Sequence, residues 1–360
     1  MEYSTKFIGL RIPPGWRRSG LVVARRDNGY GQSVVGDPCI VWDEELSTWR
    51  MFLFYDPPGH GHALCRSIDN VGRPGNWESA IPLDFTNPAF LIGGSTHKPF
   101  VVMDAGQPNV AARINGRYCL ASISILGGHK IAQCAWANSL AGPWTWDAEP
   151  LIGLGGPGAF DEKHVDAISG YYFADRGEIL WFYMGYPEAA QDRLLSPHGS
   201  AQGVAQQTIG EAAVKLGEIL PPSPIASHWA SGWVGGLQLM PGQDHRWIAM
   251  VNASPTAPNP DGAEVFREEP PPSLGGWAIC DEEFPVSGWR FLDEPIEWIL
   301  DIPQDALNAG EGYNLWRHHV LALPYGTPGR PAGALALFYN SGYYGQEQLY
   351  VKFAEDEPAR

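Results

Sequence analysis

The chain has 360 residues, with 40 acidic against 24 basic side chains and a formal net charge of −16 at pH 7. Nucleic acid and anionic membrane surfaces need clustered lysine and arginine, so neither is expected as a partner. No apolar run reaches the roughly 18 residues of a membrane-spanning helix.

Glycine (43), proline (32) and tryptophan (15) are abundant, and turn formers separate short apolar or alternating runs, the pattern of an all-β chain. One phrase recurs roughly every 60–80 residues, a period longer than that of WD40 or kelch blades. It consists of an irregular start, an apolar strand, a turn and a second strand rich in aromatics. The first copy is Asp37-Pro38-Cys39-Ile40-Val41-Trp42, returning as Trp49-Arg50-Met51-Phe52-Leu53-Phe54-Tyr55. The second is Gln107-Pro108-Asn109-Val110-Ala111-Ala112, returning through Tyr118-Cys119-Leu120-Ala121-Ser122. The third is Val165-Asp166-Ala167-Ile168 and Ile179-Leu180-Trp181-Phe182-Tyr183-Met184. The fourth is Val234-Gly235-Gly236-Leu237-Gln238-Leu239 and Trp247-Ile248-Ala249-Met250-Val251, and the fifth Leu315-Trp316-Arg317-His318-His319-Val320 and Ala334-Leu335-Ala336-Leu337-Phe338-Tyr339.

Two further strands follow each of the first four copies, but the fifth has only Leu349-Tyr350-Val351-Lys352-Phe353. Its missing outer strand is read at Gly20-Leu21-Val22-Val23-Ala24-Arg25. The expected fold is therefore a five-bladed β-propeller with four-stranded blades, the last closed by the N-terminal strand, which leaves no open sheet edge. An irregular β-sandwich is the alternative. A single domain covers 1–360, with blades at about 31–85, 100–153, 160–222, 230–299 and 311–360 plus 20–25. Gly210–Gly217 reads as the one helix-like stretch, and Trp77, Trp144 and Trp289, each following a glycine-containing turn, as packing between blades. Five cysteines, an odd number mostly within strands, read as small buried hydrophobes. With an N-terminus, Met1-Glu2-Tyr3-Ser4-Thr5-Lys6, that lacks a leader's apolar core, they predict a cytoplasmic protein or a mature form whose leader was removed.

In a propeller the starts of the innermost strands converge on one axial pocket. Those starts carry Asp37; Gln107 and Asn109, with Arg113 downstream; Asp166, preceded by Glu162, Lys163 and His164; Ser231-Gly232-Trp233; and Glu311, followed by Trp316, Arg317, His318 and His319. Paired carboxylates are what glycosidic cleavage requires, one ionised to activate water or attack the sugar and one protonated to assist departure. Aromatic faces suit sugar rings, and Asn109, Arg113, His164, Trp233, Trp316 and Arg317 are candidate substrate contacts. An Asp-Pro turn also arises for structural reasons alone, whereas Asp166 interrupts an apolar run where a carboxylate gains nothing. His318 and His319 lie on opposite faces of one strand, so at most one faces the axis.

Gly36-Asp37-Pro38-Cys39-Ile40, Gln107-Pro108-Asn109-Val110, Val165-Asp166-Ala167 and Ser139-Leu140-Ala141-Gly142-Pro143-Trp144 resemble the five-bladed propeller glycosidases of family 43 and their relatives in families 32, 62, 68, 117 and 130. The resemblance implies a glycoside hydrolase acting on an oligosaccharide, inverting and exo-acting, with Asp37 as general base and Asp166 tuning the acid. The family's acid is a Glu in a Glu-Gly-Pro phrase opening blade four; here Ser231-Gly232-Trp233 stands there. The acid is then supplied by Glu311 or Glu162, or by a histidine (His164, His228 or His318), as in family 117. Alternatively the protein binds glycans without cleaving them, or is a phosphorylase using Arg113, Lys163 and Arg317 for phosphate. No cofactor is implied as required; a central calcium ion is allowed, with His318 or His319 at the family's blade-five histidine.

Overall fold

The computed structural model describes residues 9–25, 34–55, 59–87, 96–188, 199–256, 273–297, 315, 317–322, 335–342 and 347–355. β1 (Trp16–Val23) comes first in the chain. The first blade is β2 (Val35–Asp43), β3 (Thr48–Tyr55), β4 (Gly59–Leu64) and β5 (Ile81–Pro82) in spatial order. The second is β6 (His97–Val101), β8 (Tyr118–Leu126), β9 (His129–Ala137) and β10 (Thr145–Trp146); the intervening β7 (Met103–Asp104) crosses to lie parallel to the third blade. That blade is β11 (His164–Phe173), β12 (Glu178–Tyr186), β13 (Ala201–Thr208) and β14 (Val214–Leu220). The fourth is β15 (Trp233–Pro241), β16 (Trp247–Ser254), β17 (Leu274–Cys280) and β18 (Arg290–Pro295). The fifth is β19 (Arg317–Ala322), β20 (Leu335–Ser341) and β21 (Gln348–Ala354), closed outside by β1.

The inner strands β2, β6, β11, β15 and β19 touch in that order, and β19 returns to β2, so the sheets form a ring. This is the five-bladed propeller, with the N-terminal strand completing the last blade. Apolar clusters fill the spaces between blades. Three of the contacts share one geometry. Trp77, Trp144 and Trp289 stand edge-on to Phe338, Phe52 and Phe182 of the preceding blade, with centroids 6.1, 6.1 and 6.4 Å apart. The aromatic pair buries a large apolar area, and its T-shaped geometry adds a specific electrostatic gain.

Two sequence expectations need correction. Gly210–Gly217 is not helical. It turns at Gly210 (φ +92°) and enters β14, the outermost strand of its blade, where Val214 and Leu216 face solvent. The inner strand of blade two is not Gln107–Ala112 but β6. Asn109 takes a left-handed φ of +63°, and the segment returns beside its neighbours through isolated bridges, Val110 to Trp42 and Ala111 to Met103. The true counterpart of Asp37-Pro38-Cys39 is Lys98-Pro99-Phe100.

That equivalence rests on register. Between the pairs Gly36–Phe54 and Cys39–Phe52, β2 carries two residues against one. The same bulge lies between His97–Ile123 and Phe100–Ala121, between Asp166–Met184 and Ser169–Phe182, and between Gly235–Asn252 and Gln238–Met250. Its first residue is left-handed in all four blades: Asp37 (φ +54°), Lys98 (+56°), Ala167 (+49°) and Gly236 (+66°). Glycine is the usual occupant of such a bulge. Three of the four blades place another residue there, the kind of backbone strain that clusters at functional sites.

Replacing Trp77, which is 1% exposed, by Ala should remove the wedge between blades one and five. Equilibrium unfolding in urea should show a loss of about 3–5 kcal/mol.

Candidate active site at the axial bulges

The bulges bring one charged cluster to the axis. Asp166 is fully buried. Its Oδ1 accepts the Lys98 ammonium (2.6 Å) and the Ala167 N–H (2.7 Å); its Oδ2 accepts the Lys130 ammonium (2.6 Å) and the Tyr186 hydroxyl (3.2 Å). Burial alone would raise its pKa, but the two ammonium groups outweigh burial and hold Asp166 well below the usual carboxylate range. Asp166 is thus a fixed anion with both oxygens committed.

Asp37 differs. Its Oδ2 accepts the Lys98 backbone N–H (3.2 Å), its own N–H donates to Asn340 Oδ1 (3.4 Å), and Oδ1 has no partner among the described residues. Gly36 permits this approach, because a Cβ there would lie 2.9 Å from the Asn340 amide. Burial raises the Asp37 carboxyl and the charge of Asp166 adds to the rise; Lys98 and Arg317 only partly oppose it. Two aspartates, on the inner strands of blades one and three, therefore sit in opposite environments, one carboxyl raised by burial and one held as an anion.

Arg317 comes from blade five and is buried. Its Nη1 and Nη2 donate to the bulge carbonyls of Ala167 (3.1 Å) and Ile168 (2.9 Å). It also lies over blade four, where a Cβ on Gly236 would come within 3.2 Å of Nη1. So at its bulge blade four offers no carboxylate, and a guanidinium occupies the adjoining space. His164 borders the same wall. It accepts the Lys130 N–H at Nδ1 (3.1 Å) and meets the Tyr186 ring edge-on, and burial lowers its pKa to about 4. Trp233 packs with Ala167 and Met184, with Tyr186 against the same group.

The structure therefore gathers Asp37, Asp166, Arg317, His164 and Trp233. Glu311 and Trp316 lie outside the described residues. Glu162 is not joined to the cluster; its carboxylate caps its own turn by accepting the Gly158 N–H (2.8 Å). Arg113 is bound at the far end of β2, where it pairs with Glu45 (3.0 Å) and the Tyr118 hydroxyl (3.0 Å), so it does not serve the pocket. Asn109 is fully buried and is not a substrate contact; it donates to Val320 O (3.0 Å) and His319 Nε2 (2.7 Å) and accepts the Ala322 N–H (2.9 Å). His228 stacks on Trp229, with Phe291 against it, in blade four.

His318 is not placed as a metal ligand: its nitrogens meet Asn252 Oδ1 (2.8 Å) and Met250 O (3.0 Å), both of blade four. Calcium needs six to eight oxygens. At the axis the side-chain oxygens of Asn109 and Gln238 are taken by the N–H groups of Ala322 and Val320, and the described residues contain no cluster of three metal-binding side chains. Among the described residues the axial side chains do not offer such a set of oxygens. Lys98, Lys130, His97 and Tyr186 are the site residues that sequence reasoning missed. The usable signal was Lys98-Pro99 before the apolar run Phe100–Met103, the same pattern as Asp37-Pro38.

Stability and pH separate the two aspartates. The folded protein holds Asp37 above its unfolded value, so ionisation of Asp37 opposes folding as pH rises through the folded pKa. Asp37→Asn should be more stable than the parent near pH 7 and lose that advantage below about pH 4. Asp166→Asn should be destabilised by about 3–5 kcal/mol at pH 7, because two buried ammonium groups lose their partner. Its deficit should shrink only as pH falls through the depressed pKa of Asp166. Thermal unfolding of both variants across pH checks the opposite signs.

No protein-family model and no curated protein matches the sequence. Solved structures do match in three dimensions. One comes from work on the family 130 mannoside phosphorylases, described as containing glycoside hydrolases that target β-1,2-mannosidic linkages in Candida mannan; it is 12% identical, with a TM-score of 0.62 and 98% of each chain covered. A thermostable family 43 glycoside hydrolase is 15% identical, with a TM-score of 0.55, covering 92% of this chain and 98% of its own. The α-L-arabinofuranosidase of Podospora anserina, in complex with cellotriose, is 13% identical, with a TM-score of 0.56, covering 96% and 98%. At these identities the likeness is one of fold, and that fold is the five-bladed propeller.

Proposed function

We propose that this propeller is a glycoside hydrolase in which Asp37 activates the attacking water. The observation that carries the reading is the pairing of an axial carboxyl with an uncommitted oxygen and a raised pKa, Asp37, with a second one locked as an anion, Asp166. The glycosidases and phosphorylases named among the structural neighbours favour the same chemistry. Asp166 has no lone pair to spare for a proton transfer. It acts as a positioning residue, because the Lys98 ammonium it holds belongs to the residue whose N–H orients Asp37.

Hydrolysis also needs a proton for the leaving oxygen. The reading assigns that role to Glu311, which precedes β19 in the sequence, in preference to Glu162, whose carboxylate accepts the Gly158 N–H at its own turn. An inverting course requires the base and acid carboxyls to lie roughly 6.5–9.5 Å apart, with water between. Phosphorolysis is the second reading, favoured by the three cations Lys98, Lys130 and Arg317 around the two aspartates.

A screen of aryl glycosides and oligosaccharides, with NMR of the first-formed anomer, tests the reading. Asp37→Asn should lose about 10²–10⁴-fold in kcat while retaining ligand binding. Unchanged turnover in that variant would sink the assignment. Phosphate-dependent release of a sugar 1-phosphate would favour the second reading. The base must be ionised, so the acidic limb of kcat/KM should lie above an ordinary aspartate value of about 3.9. Lys98→Met removes the largest lowering influence on Asp37 and should move that limb to higher pH.

A further inference from the structure

The peptide that holds Asp37 is itself held. His97 and Lys98 share one planar, trans peptide unit at the blade-two bulge, and its Lys98 N–H donates to Asp37 Oδ2 (3.2 Å). On the opposite edge of the same unit, the His97 carbonyl accepts the Ser122 hydroxyl (2.9 Å). Ser122 is fully buried on β8, and its alternative acceptor, Ile123 O, is more distant at 3.4 Å. Ser122 Oγ also meets His60 Nε2 (3.2 Å), from the third strand of blade one, and His60 Nδ1 meets Thr96 Oγ1 (3.1 Å).

The donors available fix the direction of these bonds. A carbonyl only accepts, so the single Ser122 hydrogen goes to His97 O, and Oγ is left to accept. The His60 proton is therefore on Nε2, and Nδ1 accepts the Thr96 hydroxyl. Burial lowers the His60 pKa to about 3, with the His97 carbonyl only partly opposing, so the ring stays neutral and keeps one tautomer. Every donor then points the same way: Thr96 to His60, His60 to Ser122, Ser122 to the His97 carbonyl, and the Lys98 N–H of that peptide to Asp37. Hydrogen bonds in such a chain polarise one another, so a donor at the carbonyl strengthens the N–H of the same unit. Lys98 also has a left-handed φ (+56°), a strained state for a residue with a side chain, which persists only where its surroundings hold it.

We propose that His60 and Ser122 are positioning residues for Asp37, acting through the His97–Lys98 peptide. This rests on the reading of Asp37 as the base of the same site. The charged groups facing Asp37 are Lys98, Arg317 and Asp166, on the inner strands of blades two, five and three, and they set its field. The relay sets the direction of the backbone donor on Oδ2, and with it the orientation of the uncommitted Oδ1. Without Ser122 the peptide is free to turn, and its bond to Asp37 weakens. That bond favours the ionised carboxyl, so its loss raises Asp37 further.

NMR titration of the Asp37 carboxyl tests this without any substrate, in the full chain with aspartate labelled at its carboxyl carbon and Asp37→Asn used for assignment. Ser122→Ala and His60→Leu should each move the Asp37 midpoint to higher pH. His60→Gln, which keeps a donor for Ser122, should leave the midpoint near its wild-type position. Ser124→Ala removes an equally buried hydroxyl from the same face of β8, one bonded to Gln133 (2.9 Å) instead, and should also leave it unchanged. An unmoved midpoint in Ser122→Ala or His60→Leu, or an equal shift in His60→Gln or Ser124→Ala, would each overturn the inference. On a glycoside that the chain hydrolyses, Ser122→Ala should lower kcat about 3- to 10-fold at unchanged KM, the worth of one hydrogen bond, and carry the acidic limb of kcat/KM upward. The two readings fail separately. A shifted midpoint in a chain that hydrolyses no glycoside removes the glycosidase and leaves the relay. Hydrolysis that depends on Asp37, with a midpoint indifferent to Ser122, removes the relay and leaves the base.

Discussion

Each of the five innermost strands turns one edge of its sheet toward the propeller axis, where there is no further strand to pair it. A buried N–H or C=O left unmatched there costs about 1–3 kcal/mol. Along the axis the chain meets this demand with amide side chains. Gln238 both donates to Val320 O (3.0 Å) and accepts its N–H (2.6 Å), and Asn109 serves Val320 O and the Ala322 N–H in the same way. Where the inner strands start, a bulge interrupts the pairing with the second strand in four of the blades. A bulge ends regular pairing and re-aims side chains. Amide side chains thus satisfy the axial backbone of β19, and the bulges re-aim the side chains near the strand starts.

What occupies that ring is set by electrostatics. Taking a carboxylate out of water is expensive, and a single cation seldom offsets the cost in full. Asp166 is held by two ammonium groups, a backbone N–H and a tyrosine hydroxyl, which is why it remains charged despite complete burial. Asp37 has one backbone donor and a more distant field from Lys98 and Arg317, and burial prevails. The contrast does not come from the residue type, which is the same. It comes from register: Asp37 is the first residue of its bulge, and Asp166 immediately precedes the first residue of its own.

Much of the fold was legible in the sequence because each blade repeats the same physical need. Trp77, Trp144 and Trp289 fill equivalent gaps and follow equivalent turns, so their spacing announced the blades. The N-terminal strand was legible because the fifth copy lacked an outer strand. Asp37, Asp166 and Arg317 could be read as convergent for the same reason. Lys98 and Lys130 could not, since the phrase Gln107-Pro108-Asn109 imitates a blade start while folding as a return loop. Nor does sequence alone show which polar residue is spent on structure. Asn109 and Arg113 have the right chemistry for a sugar, and neighbouring backbone or Glu45 claims it.

Structural neighbours at 12–15% identity share the propeller because its requirements are generic: apolar strand faces, a wedge between blades and satisfied axial edges. The bulge residues answer to a different requirement. A left-handed bulge position constrains the backbone before it constrains residue type, and this chain fills it with several types. In this chain the four positions hold an acid, a base, a methyl group and no side chain at all. The last of these lets Arg317 lie over blade four, so a guanidinium fills the space beside a position that carries no side chain. Chemistry in this architecture is therefore decided by the side chains at three of these positions, by Asp166 beside one of them, and by the cation that crosses above the glycine.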